Sequence, residues 1–167
     1  MPELPEVETT RRGIVPLLCG RDVTAVKVHD RRLRRPVSRN LSSILTGARL
    51  SAVTRRAKYL LFDFPRGTLI THLGMSGSLR VVDASVPRQP HDHVEIIFRG
   101  DRCLRLRDPR RFGLMLWTIG DPMAHELLRD LGPEPFDSTF TGAYLYHRAR
   151  GRTVAIKNYL MDARVVV

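Results

Sequence analysis

Apolar residues in the first twenty positions recur at spacings that suit one face of a helix. Val7, Ile14, Leu17 and Leu18 mark that face, Pro5 sits in its opening turn, and Pro16 and Gly20 mark its end. The pattern then changes period. Runs near 23–30, 48–64, 68–74, 78–83, 93–99, 103–107 and 113–119 are β-rich and are separated by Gly, Pro, Asp and Arg clusters. Val94, Ile96 and Phe98 alternate with other residues, and Leu104 and Leu106 alternate with Arg105 and Arg107, as expected of strands with one face buried. A helix is predicted near 38–46. Many short strands at near-regular spacing imply an α+β, mainly β fold: an antiparallel β-sandwich with flanking helices.

Asp121-Pro122 reads as an N-cap followed by proline at the first helical position, with Leu127, Leu128 and Leu131 continuing a helix to Gly132. Gly132-Pro133-Glu134-Pro135 opens a linker over 132–137. Domain 1 is therefore expected over 2–131. A second, helical region begins at 138–167, with helices over 138–149 and 154–162. The apolar end Val165-Val166-Val167 predicts a chain cut before that second domain is complete.

Composition narrows the partner. Lys and Arg number 28 against 17 Asp and Glu, a formal charge of +11 in 167 residues, and most of the excess is arginine. This predicts a polyanionic partner, nucleic acid ahead of an anionic membrane surface. The N-terminus lacks the basic flank and apolar run of a secretory signal, and no stretch of 18 apolar residues occurs, so a soluble cytoplasmic protein without membrane association is expected. Cys19 and Cys103 stand alone, without the spacing of a zinc site or disulfide framework, and read as inert thiols. His91-Asp92-His93 offers ligand types but no third ligand at a telling distance, so no metal is assigned.

The chemistry begins at the N-terminus. Removal of Met1 would give Pro2 a secondary α-amine, which titrates near ~7.7–8.0 against ~10.4 for lysine, so a useful fraction is nucleophilic at neutral pH. Such an amine forms a Schiff base with an electrophilic carbon, and the adjacent Glu3 can shuttle protons. Pro5, Glu6 and Glu8 also suit an ordinary helix start, with acids at the positive end of the dipole. An N-terminal proline could equally serve a tautomerase as general base, but that leaves the charge and the Arg110-Arg111-Phe112 turn without purpose. A DNA-binding module without catalysis would leave Pro2 without a covalent role.

Three sets of residues resemble one family: MPELPEVETTRRGI at 1–14, RRAKYLLFDF at 55–64 with THLGMSGSLR at 71–80, and DPRRFG at 108–113. They are similar to the formamidopyrimidine-DNA glycosylases, base-excision enzymes that remove oxidised purines such as 8-oxoguanine. The opening Pro-Glu-Leu-Pro fits that branch better than the endonuclease VIII branch. The resemblance implies damaged double-stranded DNA as partner and a bifunctional glycosylase and abasic-site lyase, monomeric and bacterial, in the nucleoid-containing cytoplasm. Pro2 would be the nucleophile, Glu3 would protonate the sugar, and Lys58 would donate a proton in β,δ-elimination and bind phosphate, beside a phosphate-facing patch of Arg55 and Arg56. Met75, Arg110 and Phe112 would fill the gap left by the everted lesion, whereas the residues alone would place Met75 and Phe112 in a core. His72, His91 and Arg152 would contact the DNA backbone, and Glu6 would support the active site or the helix start. The resemblance also implies a helix-two-turn-helix module and a four-cysteine finger with a structural zinc. This chain has no CxxC pair and is expected to carry no cofactor itself, to lack part of the DNA clamp and to show little or no glycosylase activity alone.

Overall fold

The computed structural model describes residues 2–167. The chain divides into two compact units, Met1–Pro122 and Met123–Val167. The first unit runs α1 (Leu4–Leu18), β1 (Val23–Val28), α2 (Leu41–Leu45), β2 (Ala52–Arg56), β3 (Tyr59–Phe64), β4 (Gly67–His72), β5 (Ser78–Asp83), β6 (Asp92–Phe98), β7 (Arg102–Arg107) and β8 (Leu114–Thr118).

The strands form two four-stranded sheets, ordered β1-β6-β7-β5 and β2-β3-β4-β8, with every pairing antiparallel. Period-two alternation sends Val94, Ile96, Phe98, Leu104 and Leu106 of one sheet, and Val53, Leu60, Phe62, Leu69 and Met115 of the other, into a shared core. Val7, Ile14 and Leu18 of α1 and Leu41 and Leu45 of α2 join it. Each such side chain stabilises the fold by roughly 1.5–3 kcal/mol through removal of apolar surface from water. This is the antiparallel sandwich with flanking helices that the strand pattern predicts.

The β-rich run at 48–64 is a hairpin. Arg56 faces Tyr59 across β2 and β3, leaving Ala57 and Lys58 as a two-residue loop. Ala57 has φ 51°, the left-handed turn position that glycine or asparagine usually fills, so the sequence carries no ordinary turn signal there.

In the second unit, α3 (Gly142–Ala149) and α4 (Ile156–Leu160) are shorter than the predicted 138–149 and 154–162. Thr141 caps α3 by accepting the Tyr144 N–H at 3.1 Å. The helix predicted from Asp121-Pro122 to Leu131 does not form. Pro122–Ala124 is a three-residue 3-10 helix, followed by turns. Locally, His125 Nδ1 accepts the Leu127 N–H at 3.2 Å and His125 O accepts the Leu128 N–H at 2.8 Å, so side chain and tight turn take donors a helix would use.

Candidate functional site

Two clusters in the first unit carry polar chemistry. The first lies at the start of α1. Glu3 is its N-cap, and its backbone N–H donates to Glu6 Oε2 at 3.0 Å, so Glu6 stabilises the first turn directly. Lys58, at the hairpin tip, donates from Nζ to Glu3 Oε2 at 2.5 Å. The Lys58 hydrogen bond and charge hold the Glu3 carboxyl below its usual range. Glu3 is therefore a carboxylate at neutral pH, next in sequence to half-buried Pro2. Met1 lies outside the described residues.

Glu8 fastens this cluster to the sheet. It accepts from Arg11 Nη2 and Arg12 Nε at 2.8 Å and from Arg55 Nε at 3.2 Å. Hydrogen bonds from Arg11 lead the causes that lower its carboxyl to about 2. Arg55 also donates to Ala57 O at 2.9 Å. The Arg55 guanidinium ties α1 to the Lys58 hairpin, because a neighbouring carboxylate and a turn carbonyl both lie within reach.

The second cluster joins two loops. At the end of β4, His72 Nδ1 accepts the Gly74 N–H at 2.9 Å, and its ring tilts against Tyr59 with centroids 4.8 Å apart. Burial, then the charges of Arg34 and Lys58, lower His72 to about 4. The ring is thus neutral at pH 7, and because Nδ1 accepts, its proton sits on Nε2 as a donor. Met75 follows, 43% exposed, and Phe112 in the facing loop is also 43% exposed. Neither is a core residue. Arg110 Cζ lies 4.8 Å from the Phe112 ring centroid, within cation–π range.

Asp108 holds the loops together. It is fully buried, accepting from Ser76 Oγ at 2.7 Å through Oδ1 and from the Gly113 N–H at 2.7 Å through Oδ2. Ser76 Oγ in turn accepts the Arg110 N–H at 3.2 Å. Asp108 N–H donates to His91 O at 3.0 Å, and buried His93 donates from Nε2 to Asp108 O at 2.8 Å. Exposed His91 has φ 72° and closes the segment 84–91. That segment is strapped down by Arg105, which donates to Val86 O at 2.9 Å and Pro87 O at 3.2 Å and pairs with Glu95 at 2.6 Å.

Arg152 belongs to the second unit, exposed after α3 and lining a shallow cavity with Arg148, Asn158, Tyr159, Asp162 and Arg164. Cys19 and Cys103 are far apart in sequence; burial raises both thiols, Cys103 to about 11. Among the described residues no group of three His, Cys, Asp or Glu is placed to hold a metal, so these residues do not fit a structural zinc. Among them, too, no helix is long and apolar enough to cross a membrane.

The model of the formamidopyrimidine-DNA glycosylase N-terminal domain matches residues 1–115. The chain belongs to the formamidopyrimidine-DNA glycosylase family. Relatives bearing that name from Methylococcus capsulatus and Aromatoleum aromaticum are 57% and 58% identical over 99% and 100% of this chain. The chain spans 61% of the length of each. The fold superposes with a TM-score of 0.90 on the Lactococcus lactis enzyme bound non-covalently to DNA containing an AP site, at 32% identity over 99% of this chain and 64% of that one. A MutM complexed with DNA containing carbocyclic 8-oxo-G superposes at 0.89, with 32% identity over 99% of this chain and 62% of that one.

For a formamidopyrimidine-DNA glycosylase chain, sequence reading singled out Pro2, Glu3, Lys58, His72, Met75, His91, Arg110, Phe112 and Arg152. Glu3 and Lys58 meet directly, while Met75, His91, Arg110 and Phe112 stand on loops or strand ends that converge on Asp108. Sequence reading missed Asp108, Ser76, Glu8 and Arg34. Asp108 carried a signal, since Asp before Pro commonly accepts backbone donors a few residues on and so closes a turn. Arg34, whose N–H donates to Gly113 O at 3.0 Å, carried none, standing within an arginine-rich stretch.

Proposed function

We propose that the protein of which these residues are part is a base-excision DNA glycosylase and abasic-site lyase acting on oxidised purines, 8-oxoguanine and formamidopyrimidines, in duplex DNA. The observation that carries the reading is the ion pair between Lys58 and Glu3, formed beside a processable N-terminal proline. The Pro2 amine attacks C1′, the bond from C1′ to the base breaks, and the base leaves with the proton that the amine nitrogen gives up as its bond to C1′ forms. Glu3 enters as a carboxylate, takes the proton released as the amine becomes a nucleophile, and passes it to the sugar oxygen as the ring opens to an iminium. Lys58, already donating a hydrogen bond to Glu3, relays protons during β- and then δ-elimination and binds a flanking phosphate.

The lesion must first leave the stack, at a cost of a few kcal/mol. Met75 and Phe112 occupy the gap, and Arg110 donates to the orphaned cytosine. His72, through Nε2–H, with His91 and Arg152, holds backbone phosphates. The working form is a monomer in the bacterial cytoplasm, at the nucleoid. The structural zinc of the family belongs to residues other than these, and no step here passes through it.

Borohydride trapping on a labelled duplex with one abasic site, followed by peptide mapping, tests the reading. Attachment at Pro2 supports it. Attachment at a lysine, or none on an abasic site in either single-stranded or duplex DNA, overturns it.

A further inference from the structure

We infer that Asp108 is a positioning residue that fuses the Met75 loop and the Arg110–Phe112 loop into one rigid reading head, and so sets how well the protein distinguishes a gap in the stack from intact duplex. This rests on the reading of Met75, Arg110 and Phe112 as gap-filling groups. Asp108 itself is fully buried and touches no solvent-facing ligand. Its two carboxylate oxygens go to different loops, Oδ1 to Ser76 Oγ and Oδ2 to the Gly113 N–H, both at 2.7 Å. Its backbone takes up His91 on one side and His93 on the other, at 3.0 and 2.8 Å.

The loops are also locked by close approach. A Cβ on Gly74, which has φ +66°, would stand 2.4 Å from the Phe112 carbonyl carbon, and one on Gly77 would stand 2.1 Å from Leu73 O. Backbone contact of this kind fixes separation, but it does not fix rotation of one loop against the other. The divided carboxylate does, because hydrogen bonds fall off steeply with angle. The spacing between the apolar tips and the Arg110 guanidinium is therefore set by one buried side chain, without which each loop would have to be ordered at the moment of binding.

The test compares affinities, by fluorescence anisotropy, for an intact duplex and for the same duplex carrying a tetrahydrofuran abasic analogue opposite cytosine. Their ratio is insensitive to the fraction folded, since unfolding scales both affinities alike. In Asp108→Ala the ratio should fall about tenfold, as expected when a hydrogen-bonded buried network loses its acceptor, with affinity for intact duplex changed far less. Asp108→Asn can accept from Gly113 and donate to Ser76, and should recover part of the ratio. Ser76→Ala releases only the Met75 loop and should fall in between. An unchanged ratio in Asp108→Ala overturns the inference, as does an equal loss of both affinities. If the unaltered protein shows no preference for the abasic duplex, the gap-filling reading itself fails, and the inference with it.

Discussion

The chemical end and the reading end of the first unit are built on opposite principles. At the chemical end, Glu3 and Lys58 meet through side chains that are 53% and 34% exposed, with one hydrogen bond between them. At the reading end, exposed tips stand on a carboxylate with no solvent contact. An exposed ion pair contributes little to stability, about 0–1 kcal/mol, because water screens it and long side chains lose entropy on pairing. A buried acceptor that satisfies donors on two loops cannot be removed without leaving those donors unsatisfied. On the proposed function, groups that move protons are thus left loosely held, whereas groups that must match the shape of a duplex are held rigidly.

The largest expected effect separates the two ends by rate. Glu3→Gln should slow borohydride trapping at an abasic site by about 100-fold, within the range for a lost general acid–base, while thermal melting stays unchanged. A melting shift as large as that of a core variant would show that the chemical end is structural after all. Gly74→Ala should act in the opposite sense. It should cost about 2 kcal/mol or more in urea unfolding, because the new Cβ meets the Phe112–Gly113 backbone at a φ that L-residues avoid. Its trapping of abasic sites in single-stranded DNA, where no gap is filled, should be retained.

A pH series sharpens the contrast. His72 is lowered from 6.5 to about 4 and Glu8 from 4.5 to about 2. Both folded values are depressed, so both groups contribute stability that is complete above the unfolded value and is lost as pH falls through the folded one. Stability should decline in two overlapping steps, from pH 6.5 to 4 and from pH 4.5 to 2, each about 1–2 kcal/mol once solvent screening is discounted. His72→Asn, which keeps an acceptor for the Gly74 N–H, should remove the upper step in melting curves. The smallest effect is expected of Met75→Leu: less than about 0.5 kcal/mol in stability, since the side chain is half exposed.

The sandwich was legible because apolar residues recur at every second position in strands such as β6 and β7. Leu104 and Leu106 enter the shared core, whereas Arg105 and Arg107 stand on the other face of the sheet, where Arg105 is itself buried beneath the segment 84–91. The chemical end was equally legible from local spacing and family resemblance, since Glu3 and Lys58 carry ionisable groups in recognisable motifs. Asp108 was harder, because its partners Ser76 and His91 are remote in sequence, and the pairing of β5 with β7 and of β6 with β7 brings them together. The structural role of Arg55 was hidden for a related reason. A basic residue beside Lys58 reads as phosphate-facing, and its tie to Glu8 of α1 is visible only once the fold places that carboxylate against it. The 121–131 segment shows the limit of local signals, where an N-cap and leucine spacing did not prevail over the His125 side chain.

The Ala57-Lys58 loop is already the shortest that can join two antiparallel strands. A single inserted residue that propagated into β3 would turn Leu60, Phe62 and Phe64 outward, since one step of register exchanges the faces of a strand. An extra residue at this tip is therefore harmless to the core only if the loop itself takes it up, whereas the segment 84–91 lies outside the strands and carries no such condition. The place of Lys58 in the chain is thus set by the register of the strands on either side of it.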